Sequence, residues 1–190
     1  MILYFSATGN SEYVARRIAA ETGDLAVSIT DCYKEQMFSF DEKCKTLGIV
    51  SPTYSWGLPV IVTEFLQRLD VSHKPDYLFF IATYGTTPGQ TGRFADHILA
   101  PKGLPLSAKF SVKMPDTWTP IFDLSNKEKV RRINDHAELA IDSMIKQIKD
   151  FTVGDFMKKM CIRDSFLPVS HEYPEREGSP DGIHRHYLRW

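Results

Sequence analysis

MILYFSATGNSEYVARRIAAETGD, residues 1–24, holds a strand, a turn and a helix in quick succession. Ile2 to Phe5 is a short apolar run of the kind that forms a buried strand. From Asn10 to Thr22 the spacing changes. Tyr13, Val14, Ile18 and Ala19 share one face, Glu12, Arg16, Arg17 and Glu21 lie largely off it, and Gly23 is a stop signal. Between them lies Ser6-Ala7-Thr8-Gly9-Asn10-Ser11. In a strand–helix unit this loop sits at the carboxyl end of the strand. The first helical amides there are unpaired and the helix dipole favours an anion. The hydroxyls of Ser6, Thr8 and Ser11 and the Asn10 amide can donate to phosphate oxygens, and Gly9 lets the backbone wrap closely. The loop has no lysine or arginine, and neither GxxxxGK[ST] nor GxGxxG occurs, so neutral donors to a terminal phosphate fit best. Simple N-capping competes with this reading, but one cap needs fewer hydroxyls.

The same alternation continues downstream. Strands are expected at Leu25 to Ile29, Thr46 to Val50, Tyr77 to Ala82 and Ala108 to Met114. Helices are expected at Leu58 to Leu69, with Pro59 in its first turn, at Thr91 to Leu99, and at Ser125 to Lys149. Asp31 to Lys45 is polar and mixed and reads as a loop. The pattern predicts an α/β fold: a doubly wound, five-stranded parallel sheet in the order 2-1-3-4-5. Residues 1–150 form the domain in this reading. Residues 151–190 form an irregular tail, with Pro168, Pro174 and Pro180 and three histidines, His171, His184 and His186.

Two more loops follow strand ends and would open on the same crevice as the first. Pro52-Thr53-Tyr54-Ser55-Trp56-Gly57 follows the third expected strand. Thr83-Tyr84-Gly85, running on to Gly89, follows the fourth. Each puts an aromatic beside glycine. A phosphate cradle with two aromatic-bearing loops suits a planar phosphorylated ring system.

These three stretches resemble the flavodoxin-like FMN domains over roughly residues 1–150. Their phosphate loops read [TS]-x-T-G-N-[TS], which Ser6, Thr8, Gly9, Asn10 and Ser11 match position by position. SPTYSWGLP and ATYGTTPG resemble the loops that flank the flavin. The resemblance implies FMN as cofactor. It makes Ser6, Thr8, Gly9, Asn10 and Ser11 the phosphate end of the site. Pro52, Thr53, Tyr54, Ser55, Trp56, Gly57, Thr83, Tyr84, Gly85 and Gly89 form the ring end, with Trp56 and Tyr84 against the isoalloxazine. It also implies a peptide flip near Gly57 on flavin reduction. A finer likeness is to the flavodoxin half of proteins fused to a two-cluster 4Fe-4S ferredoxin domain. Pro52 to Leu69 resembles their PxYxWGLPxxVxxFLxxL, and Met114-Pro115-Asp116-Thr117-Trp118 their M-P-[DN]-x-[YW]. Only Cys161 follows residue 150, so no cluster of that type can form. The tail is then expected to be non-native sequence or the remnant of a missing ferredoxin domain.

The function expected from the resemblance is an FMN-binding electron-transfer protein, a one- or two-electron carrier working with a redox partner protein, ferredoxin or a reductase. The alternatives are an FMN-dependent NAD(P)H:acceptor reductase of the quinone type and a flavodoxin-fold binding module without cofactor. A phosphoacceptor domain would want acidic residues at the first strand, and Ile2 to Ala7 has none. With 23 basic and 24 acidic residues the net charge is −1, which gives no footprint for nucleic acid or an anionic membrane. Cys32, Cys44 and Cys161 have no metal-ligand spacing, and no basic, apolar leader opens the chain, so a cytoplasmic location is expected.

Overall fold

The computed structural model describes residues 1–41, 44–117 and 124–157. In chain order the elements are β1 (Ile2–Tyr4), α1 (Asn10–Thr22), β2 (Ala26–Ser28), α2 (Ile29–Lys34), β3 (Ser39–Phe40), β4 (Thr46–Pro52), α3 (Val60–Arg68), β5 (Asp70–Val71), β6 (Tyr77–Tyr84), α4 (Thr91–Leu99), β7 (Ala108–Lys113), α5 (Lys127–Lys149) and β8 (Gly154–Asp155). A 3₁₀ turn, Ala100–Lys102, follows α4.

The main sheet is parallel throughout and has six strands in the order β2-β1-β4-β6-β7-β8. This differs from the expected five strands in the order 2-1-3-4-5. β8 adds a sixth strand outside β7, and β3 pairs with β5 in a separate two-stranded ribbon. β6 is buried at every position, as its unbroken apolar run requires for a central parallel strand. β7 alternates buried residues with half-buried ones and ends on the exposed Lys113, as expected for a strand near the edge.

Helices cover both faces. On one, Val14, Ala15 and Ile18 of α1 and Ile141, Met144, Ile145 and Ile148 of α5 pack on Ile2, Val50, Phe79, Ile81 and Phe110. On the other, Val62, Phe65 and Leu66 of α3 and Ala95 and Leu99 of α4 pack on Leu3, Leu47, Ile49, Leu78 and Phe80. Each large apolar side chain buried this way contributes about 1.5–3 kcal/mol. α1 stops where Gly23 turns left-handed at φ 72° and its amide and that of Asp24 return to the Ala19 carbonyl.

Two expectations change here. Asp31 to Lys45 is not wholly a loop: α2 forms, capped by the Ser28 hydroxyl, which accepts from the Asp31 amide. Its apolar side is only Ile29 and Cys32, both fully buried, too short a stripe to register as periodic. Cys32 is thus a core residue, and burial lifts its thiol above the ordinary range, so it stays protonated and inert. The other change concerns residues 151–157, expected in the tail, which continue the fold. The Tyr77 hydroxyl donates to the Thr152 carbonyl (2.7 Å), its ring meets Phe151 edge-on, and Phe156 stacks on Phe110 at 5.2 Å. The Gly154 amide donates to the Ser107 carbonyl and that of Phe156 to Lys109. Residues 158–190, with Cys161 and the tail histidines, lie outside the described residues.

Lys102 holds the end of α3. Its ammonium donates to the carbonyls of Leu66 and Gln67 (3.1 and 2.9 Å) and to that of Leu69. These last-turn carbonyls lack helical partners, and a cation there also meets the negative end of the dipole. Lys102→Met keeps the stem and removes the donors. It is expected to cost roughly 1–2 kcal/mol, read as a lowered urea midpoint with unchanged slope. An unchanged midpoint would show that water replaces the ammonium at no cost.

No helix among the described residues is long and apolar enough to cross a membrane, and no cluster of three or more metal-ligating side chains occurs among them.

Candidate functional site

The carboxyl ends of β1, β4 and β6 lie side by side, so the loops after them meet at one end of the sheet. After β1, the helix cap falls on Gly9, the one residue between Ser6 and Ser11 with no side chain, in a left-handed conformation at φ 99°. Nothing lies within 4 Å of where a Cβ would stand, so conformation and not crowding requires glycine there. Ser6 accepts the Gly9 amide on its hydroxyl oxygen (3.1 Å), which folds the loop and leaves the Ser6 proton to donate outward. The amides of residues 10–12 have no carbonyl partner within the helix. The loop therefore does not use its hydroxyls as an ordinary cap. It presents a set of N–H and O–H donors.

Not every expected donor faces the crevice in the same way. Ser11 is buried and hydrogen-bonds the buried Thr83 hydroxyl at 2.8 Å, joining α1 to the end of β6. Asn10 gives one amide hydrogen to the Pro115 carbonyl (3.0 Å), and Thr8 pairs with Thr117 (3.0 Å). Ser11→Ala leaves the Thr83 hydroxyl buried without that partner. It is expected to lower stability by about 1–3 kcal/mol, whereas the double variant Ser11→Ala/Thr83→Val recovers part of the loss. Additive losses in that cycle would mean the two hydroxyls do not depend on each other.

After β4, Pro52 ends the strand and the Thr53 amide donates to the Thr83 carbonyl (2.9 Å). Tyr54 and Gly57 then exchange both backbone hydrogen bonds, 3.0 and 2.9 Å, across a two-residue turn. Ser55 and Trp56 both take positive φ, 46° and 62°, the pattern of a type I′ turn that asparagine–glycine would satisfy cheaply. A serine and a tryptophan there hold strain of about 1 kcal/mol or more each. The strained residues are thus Ser55 and Trp56 and not Gly57, whose amide and carbonyl are both hydrogen-bonded to Tyr54 in this conformation. Trp56 is 64% exposed. Tyr54 stands edge-on to Phe5 at 6.4 Å, joining this turn to the first loop.

After β6, Tyr84 is only 8% exposed, unlike Trp56, so the two expected ring-flanking aromatics are not equivalent. Burial raises the phenols of Tyr84 and Tyr54 above their ordinary value, and both stay neutral at physiological pH. The loop is fastened to its neighbour. The Gln90 amide donates to the Trp56 carbonyl (3.0 Å), the Thr53 hydroxyl to the Pro88 carbonyl (3.3 Å), and a Cβ on Gly89 would lie 2.2 Å from the Trp56 oxygen. A Cβ on Gly85 would lie 2.1 Å from a carboxylate oxygen of Asp116.

In the sequence, residues 114–117 carry a likeness but no sign of belonging to a site. They nevertheless touch both the first loop, through Thr8 and Asn10, and the third, at Gly85. The signal was the MPDTW stretch itself, whose last residue, Trp118, lies outside the described residues.

Comparison with curated protein sequences returns no match. Solved structures that superpose on the chain include a flavodoxin from the domain Archaea, with 15% identity and TM-score 0.46 over 76% of this chain and 97% of that one. A short-chain flavodoxin associated with a non-canonical PDU bacterial microcompartment gives 17% and 0.46 over 75% and 95%. Rubredoxin oxygen:oxidoreductase from Desulfovibrio gigas gives 16% and 0.46 over 75% of this chain, which spans only 35% of that enzyme. The sequence profile of the flavodoxin domain matches residues 1–142 of the 190, and the chain belongs to the flavodoxin domain family.

Proposed function

We propose that the domain binds FMN across these three loops and serves as a one- or two-electron carrier for a redox partner protein, ferredoxin or a reductase. The observation that carries this reading is the start of α1 on a left-handed Gly9, with open first-turn amides flanked by the Ser6 and Thr8 hydroxyls. Such donors suit a phosphate monoester without a lysine. The exposed Trp56 on its strained turn and the buried Tyr84 would line the ring end. FMN supplies the electron chemistry when bound. The chain's part is to hold the phosphate with neutral donors and to exclude water from one ring face with Trp56. Backbone polar groups of the second and third loops would meet the ring edges, and no side chain need accept or donate a proton.

The visible spectrum of the purified protein tests this directly. Oxidised-flavin bands, FMN released on denaturation, and quenching of FMN fluorescence on titration are expected. A colourless protein that leaves FMN fluorescence unchanged would make the domain a binding module. Rapid bleaching of the flavin by NADPH alone would make it a reductase.

A further inference from the structure

Residues 114–117 follow β7 and reach back to the first loop at two points. The Pro115 carbonyl accepts from Asn10 Nδ2 at 3.0 Å, and Thr117 Oγ1 lies 3.0 Å from Thr8 Oγ1. At a third point the Asp116 side chain fills the space beside Gly85. We infer that this segment is a latch on the phosphate loop, and that Thr117 is a positioning residue that acts through Thr8 to favour a phosphorylated ligand. The inference rests on the flavin reading above and names a further residue of that same site.

The chemistry of the pair makes the case. A threonine hydroxyl has one proton and two lone pairs. Two hydroxyls at 3.0 Å share one proton between them, so one proton remains to donate outward. An anion at the Thr8 side decides which. Thr117 then donates to Thr8, and Thr8 donates to the anion, each bond polarising the next. Without the Thr117 hydroxyl, the Thr8 hydroxyl rotates freely and loses that polarisation. Pro115 does the matching work for Asn10. A carbonyl only accepts, so it fixes which end of the Asn10 amide is nitrogen and leaves its second N–H to donate elsewhere. The effect of Thr117 concerns the phosphate end, since its contact with Thr8 does not involve the Trp56 or Tyr84 loops, and the Asp116 contact beside Gly85 is separate from it.

The test compares FMN with riboflavin, which has the same ring and no phosphate, by fluorescence titration of the full chain and its Thr117→Val and Thr117→Ser variants. Thr117→Val is expected to weaken FMN by up to about tenfold, the net effect of one neutral hydrogen bond lost behind Thr8. Riboflavin affinity should stay within about twofold, a difference of less than half a kcal/mol in binding terms. Thr117→Ser, which restores the hydroxyl, should recover FMN binding. Unchanged FMN affinity in Thr117→Val overturns the inference. So does an equal loss of both ligands, which would mark Thr117 as merely structural. If the unmodified chain binds neither ligand, the flavin reading itself fails and the latch with it.

Discussion

Gly89→Val is expected to destabilise the domain on the order of 3–5 kcal/mol and to abolish FMN binding at micromolar protein. Two effects add. Gly89 sits at φ 57°, where a β-branched residue is strongly disfavoured. Its Cβ would also stand 2.2 Å from the Trp56 carbonyl oxygen and 2.6 Å from Trp56 Cα, so it meets main chain and not a side chain that can swing away. Either the third loop leaves the second or the Trp56 turn opens. Both break the Gln90–Trp56 hydrogen bond that fixes where the indole stands. Gly9→Ala is the instructive contrast. Its φ of 99° is equally left-handed, but nothing crowds the added carbon, so strain alone remains, about 1–2 kcal/mol. Urea unfolding of the two variants gives the comparison. Equal midpoints would show that the contact between the two ring-end loops is soft.

The second large effect is alkaline. Tyr77 is 2% exposed, and burial pushes its phenol up to about 12 from an ordinary value of 10.0. A raised folded pKa means that the native state favours the neutral phenol. The associated stability is fully present below the unfolded pKa near 10 and is lost as pH rises from there through about 12. The loss amounts to roughly 3 kcal/mol by the top of that window. Because the hydroxyl donates to Thr152, ionisation also frees the chain that leads into β8. Tyr77→Phe is expected to make the alkaline decline shallower by the Tyr77 share, leaving that of Tyr84 and Tyr54, while costing about 1 kcal/mol at neutral pH for the lost hydrogen bond. Denaturant midpoints at pH 8, 10 and 11 check both halves. A Tyr77→Phe protein with the same alkaline slope would assign the loss to other groups.

The parts of the fold that sequence spacing revealed are those with many residues repeating one signal. α1 and the second half of α5 carry long apolar stripes, and β6 is apolar without a break from Tyr77 to Ala82. The parts it hid are held by few residues. α2 rests on Ile29, Cys32 and one serine cap. β8 is two residues, Gly154 and Asp155, held by backbone pairing, which leaves no trace in side-chain pattern. The site shows the same division. Three loops at three adjacent strand ends could be placed from the alternation of strands and helices. Their internal geometry could not. Nothing in SPTYSWGLP announces that Ser55 and Trp56, and not Gly57, take the left-handed conformation. The partners of Thr8 and Asn10 lie more than a hundred residues away, and they depend on where β7 ends.

The two helical layers also differ in when a growing chain can finish them. Every fully packed residue of the layer holding α3 and α4 lies between Leu3 and Leu104, so that core can close while the rest is still being made. The layer holding α1 waits for Ile141, Met144, Ile145 and Ile148. During synthesis, Val14 and Ile18 can settle on β1, β4 and β6 once these are made, but the part of the face that α5 covers, over α1 and β7, stays bare from the end of β7 until Ile141 to Ile148 follow. At 5–20 residues per second, that leaves an apolar strip bare for roughly 2–7 seconds. A nascent chain stalled just after β7 would therefore be half mature: one face sealed, the other open to chaperones.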